Sequence, residues 1–116
     1  VGIDEGNATM VIATAAAAIR TGIDDVVRRA SAEAAKGHAF SAAGLQSISR
    51  GVDDLADLVR SEGGSSAIEA LAHLDRAGAR LRHATGVATV LPEQAQHGLT
   101  SGVELLQRAQ RALHAA

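Results

Sequence analysis

A chain of 116 residues has room for one hydrophobic core but not two, so residues 1–116 are expected to form one domain. Hydrophobic residues make up 47% and aromatic residues 1%, which leaves Ala, Leu, Ile and Val to build the core and excludes the aromatic runs of most strands. A net charge of −2 with no Cys, Trp or Tyr argues against a general nucleic-acid surface, and excludes indole or phenol stacking platforms, disulfides and thiolate chemistry.

The first predicted element is a helix near residues 7–36, with Ile12, Ala16, Ile19, Ile23, Val26 and Ala30 spaced alternately by four and three. Its most apolar stretch, Ala8 to Ile19, runs about a dozen residues, where a membrane span needs about 20. Asp4 and Glu5 precede it, where a signal peptide carries cations. For residues 1–116 these features point to the cytoplasm. Lys36 and Gly37 supply a helix stop.

A second helix is expected near 41–62, with Leu45, Ile48, Val52, Leu55 and Val59 as its apolar seam. After the break at Gly63-Gly64, Ser66 and Glu69 have the spacing of a capping box. They would open a third helix near 66–90, with a seam of Ala67, Leu71, Leu74, Gly78, Leu81 and Thr85. Pro92 has the first-turn place of a fourth, near 92–115, whose seam is Ala95, Leu99, Gly102, Leu106, Ala109 and Leu113. Short links make consecutive helices antiparallel neighbours, and a 3.5-residue repeat favours left-handed crossing. The expected fold is all-α: an antiparallel up-down four-helix bundle with left-handed, coiled-coil-like packing.

Gly22, Gly51, Gly78 and Gly102 each fall near the middle of their helix. Four such glycines cost about 3–4 kcal/mol against alanine, so they form a candidate layer for close helix contact or for binding. Gly78 and Gly102, both in their seams, are expected to face each other.

Histidines stand at 38, 73, 83, 97 and 114, without the Glu-x-x-His pairs of carboxylate-bridged metal bundles. No metal site and no cofactor is expected. Asp24, Asp25, Asp53, Asp54 and Asp57 read as solvated acidic faces. On the third helix His73, Arg76, Arg80 and His83 recur at spacings of three, four and three, a basic stripe beside the seam. Such a stripe either pairs with carboxylates of a neighbouring helix or handles an anion.

The segment Ala72-His73-Leu74-Asp75-Arg76-Ala77-Gly78 distantly resembles histidine phosphotransfer domains, which are four-helix bundles. The resemblance implies a phosphoryl-accepting His73, a steadying cation at Arg76 and a small residue at Ala77 that admits a response regulator. It covers about seven residues and departs from the family at two positions. Gly78 comes one place after the family's usual glycine, and Asp75 stands where the family is usually apolar.

The leading functional expectation is a non-enzymatic module that acts by association with a protein partner or with itself. Phosphotransfer through His73 and Arg76 is the alternative. A further one is binding of an apolar ligand or a lipid-like surface at the glycine layer.

Overall fold

In the computed structural model of the chain, the backbone is described for residues 2–115 and the side chains for residues 15–115. The fold is all-α, with four α-helices and no strand among the described residues. They are α1 (Gly2–Ala35), α2 (Ala42–Glu62), α3 (Ile68–Val87) and α4 (Pro92–Ala115). Short 3-10 turns at Gly37–Ala39 and Ser65–Ala67 stand between α1 and α2 and between α2 and α3. Helix α1 packs on α2 and α4, and α3 packs on the same two helices, the α3–α4 contact being the most extensive among the described residues.

Each boundary has a local cause. Gly37, at φ 59°, takes the left-handed conformation that ends α1. Ser41 opens α2, its hydroxyl accepting the Gly44 N–H at 2.9 Å. Pro92 is the first residue of α4, where its missing N–H costs nothing. The expected Ser66–Glu69 capping box does not form. Gly64, at φ 68°, turns the chain into the Ser65–Ala67 3-10 turn instead, and α3 begins at Ile68 with no side-chain cap. Within that turn the Ala67 N–H donates to the Gly64 carbonyl and the Ile68 N–H to the Ser65 carbonyl. At its other end α3 stops at Val87, short of the expected 90.

The seams of α2 and α4 are buried as their spacing predicts. In α1, Ile19, Ile23, Val26 and Ala30 are buried, Ala16 is half-buried, and Ile12 lies outside the residues whose side chains are described. Helix α3 differs. Its continuous buried row is Ala70, Leu74, Ala77, Leu81, Ala84 and Ala88, while the expected seam residues Leu71 and Thr85 are only half-buried. The Thr85 hydroxyl donates to the Leu81 carbonyl at 2.8 Å. Alternating Leu and Ala brings α4 close without leaving a gap, which is why α3 turns its alanines inward.

Where α3 and α4 meet, Gly98 sits so near that an added Cβ would lie 3.1 Å from Ala84 Cβ and 3.2 Å from the Arg80 carbonyl oxygen. Neither atom can retreat without moving a backbone. Gly86, also on α3, has nothing within 4 Å of an added Cβ. Gly98→Ala should therefore cost about 1–3 kcal/mol by overpacking, partly offset by helix propensity. Gly86→Ala should stabilise by up to about 1 kcal/mol. Thermal melts of the two single variants check this, with shifts of opposite sign expected.

Candidate functional site

Two surface features are built from side chains of more than one helix. The first is a groove between α3 and α4. Arg76 and Arg80 are four residues apart on α3, so both lie on one face, with Ala79 beside them. Helix α4 presents Ser101, Glu104, Leu105 and Arg108 to the same groove, again at helical spacing. Among the described residues Arg28 and Arg29 pair with Asp25, Arg82 with Asp53, and Arg60 with both Asp57 and Asp75, while Arg20, Arg50 and Arg111 form no ion pair. The three arginines of the groove take no part in any such pair.

The second feature is an apolar recess at the end of the bundle where α2 and α4 finish. Ala16 and Ile19 of α1, Gly63 and Ala67 around the α2–α3 turn, and Leu113 of α4 line it, with Arg20, Glu62 and Ser66 at its edges. One residue beyond Ala67, Ile68 is 66% exposed.

The basic stripe does not stay together. Arg76 and Arg80 enter the α3–α4 groove, His83 is exposed, and His73 is mostly buried, at 17% side-chain exposure. The His73 Nε2 points toward the Glu69 carboxylate at 3.8 Å, and its Nδ1 is buried without a hydrogen-bond partner. Ala77, which the phosphotransfer resemblance would make the opening for a regulator, is fully buried in the core.

No family model, curated protein or solved structure matches the chain.

The mid-helix glycines do not enclose a common space. An added Cβ at Gly22 would meet Leu55 at 2.9 Å, one at Gly51 would meet the Arg29 guanidinium, and one at Gly102 would meet Leu81 at 3.2 Å. Gly78 faces α2, with Asp53 3.0 Å from the Cβ position, so it does not oppose Gly102 as its place in the seam suggested. Each glycine instead receives a side chain from a neighbouring helix. Gly78 and Gly102 are buried, while Gly22 and Gly51 are half-buried along the α1–α2 groove.

Sequence reading missed two polar contacts that tie α1 to its neighbours. Glu33 is buried, 7% exposed at its side chain. Its Oε1 accepts the Ser41 N–H at 2.8 Å, and its Oε2 pairs with Lys36 at 2.7 Å. Burial is the largest influence and pushes its carboxyl pKa up. The Lys36 ammonium and the Ser41 donors together outweigh that, so the net position is below the ordinary 4.5. On the outer face, the Asp24 carboxylate accepts Gln110 Nε2 at 2.9 Å and meets His114 Nε2 at 2.7 Å. Hydrogen bonds from Gln110 and His114 hold the Asp24 carboxyl below its usual range.

Proposed function

We propose that the chain is a non-enzymatic helical-bundle module that associates with a second copy of itself through the apolar recess at the end of the bundle. The observation that carries this reading is the recess itself, a hollow that reaches the core residues Ile19, Ala67 and Leu113, with the exposed Ile68 next to it in the chain. The recess is self-complementary across a two-fold axis, where a second copy covers it on both protomers at once.

The up-down, antiparallel arrangement belongs to this proposal and is supported by cross-helix pairs. Gly22 meets Leu55 and Glu33 meets Ser41, so numbers rise on α1 as they fall on α2. Asp53 pairs with Arg82 and Arg60 with Asp75, the same relation between α2 and α3. Gly98 meets Ala84 and Gly102 meets Leu81, repeating it between α3 and α4. The 3.5-residue repeat of the buried rows favours left-handed crossing.

Ile68→Asp and Ala16→Glu test the surface. Both positions are at least partly open to solvent, so the bundle should fold unchanged by circular dichroism. Light scattering should give a dimer for the wild type and a monomer for each variant. Dimers of unchanged strength in both variants would exclude the recess as the contact.

A further inference from the structure

We propose that the groove between α3 and α4 is a binding site for a phosphate-type dianion, held by Arg76, Arg80 and Arg108. These three arginines line one groove with a single carboxylate, Glu104, which leaves two positive charges in excess there. Like charges four apart on a helix repel, so Arg76 and Arg80 carry a small cost in the free protein. Among the described residues none of the three has an ion-pair partner, and of the unpaired arginines these are the ones gathered along one groove. A bound anion converts that repulsion into attraction.

The donor set selects the kind of anion. Each guanidinium is a planar fork that matches two oxygens of an oxyanion, and three forks from two helices surround more than a carboxylate can use. A phosphate monoester has three peripheral oxygens and a charge of about −1.5 to −2 near neutral pH, which answers three cations. Ser101 adds a hydroxyl donor, and Ala79 and Leu105 give the groove an apolar lining. Glu104 can accept from a hydroxyl on the group that carries the phosphate. The site shares no residue with the recess proposed for self-association, so either can fail without the other.

Amide NMR titration at constant ionic strength tests the site, with inorganic phosphate, O-phosphoserine and acetate as separate ligands. Saturable shifts are expected within residues 76–80 and 101–108 for the two phosphates, with acetate at least tenfold weaker. Tighter binding of O-phosphoserine would identify a monoester as the natural form, and tighter binding of inorganic phosphate the free ion; both support the site. Arg80→Gln and Arg108→Gln should each weaken phosphate binding at least tenfold. All three arginines are exposed, so these variants should melt no lower than wild type and keep its molecular mass. Arg80→Lys keeps the charge without the fork and should bind between wild type and Arg80→Gln. No saturable shift, shifts that persist in both Gln variants, or acetate binding equal to phosphate would overturn the proposal.

Discussion

Replacing Leu81 by alanine should cost about 2–5 kcal/mol, a large part of the 5–15 kcal/mol that holds a typical domain folded. Leu81 is fully buried on α3, in the row that faces α4, and its side chain fills the space left by Gly102 at 3.2 Å from the Cβ position. Truncation empties that space on both sides. No aromatic ring stands ready to relax into it, since Phe40 is the only aromatic residue of the chain. Denaturant unfolding of Leu81→Ala should show the loss as a lower midpoint. A cost below about 1 kcal/mol would mean that α4 closes the gap by moving in, and that α3 and α4 are not in rigid contact.

Glu33→Ala should cost about 1.5–3 kcal/mol near neutral pH, the range for hydrogen bonds to a charged group. The carboxylate is shielded from water and joins the end of α1 to the start of α2 through Ser41. Its folded-state pKa lies below the ordinary 4.5, so its stabilisation is fully present above that value. It is lost as pH falls through the depressed folded value. The stability gap between wild type and Glu33→Ala should therefore be widest near neutral pH and shrink in acid. Unfolding curves at several pH values check the sign, and a gap that widens in acid would contradict the assignment.

How much of this was legible in the sequence depended on side-chain size. The α2 seam is built of large residues throughout and the α4 seam has a leucine at every seventh position, 99, 106 and 113, and both are buried as read. Helix α3 misled because its inward positions 70, 77, 84 and 88 are alanines, which hydropathy barely separates from an outer face. Leu71 and Thr85 drew the seam one position sideways. The basic stripe was visible, but its division was not. Arg76 and Arg80 meet Arg108 only through the register of α3 against α4, which no local pattern encodes.

Glu33 carried no signal because its partner Ser41 is eight residues away, across a turn. The expected cap at Ser66 failed because Gly64 turned the chain into a 3-10 turn first. Among the mid-helix glycines, Gly78 and Gly102 do not face each other. Gly78 meets Asp53 of α2, while Leu81 and Ala84 are the α3 side chains that meet the glycines of α4.

Self-association is tested most directly by the mass of the unmodified chain in solution. Sedimentation equilibrium over a wide concentration range should show a reversible dimer of twice the 11.8 kDa chain mass, dissociating on dilution. A single species of 11.8 kDa at every concentration would contradict the proposal that a second copy covers the recess.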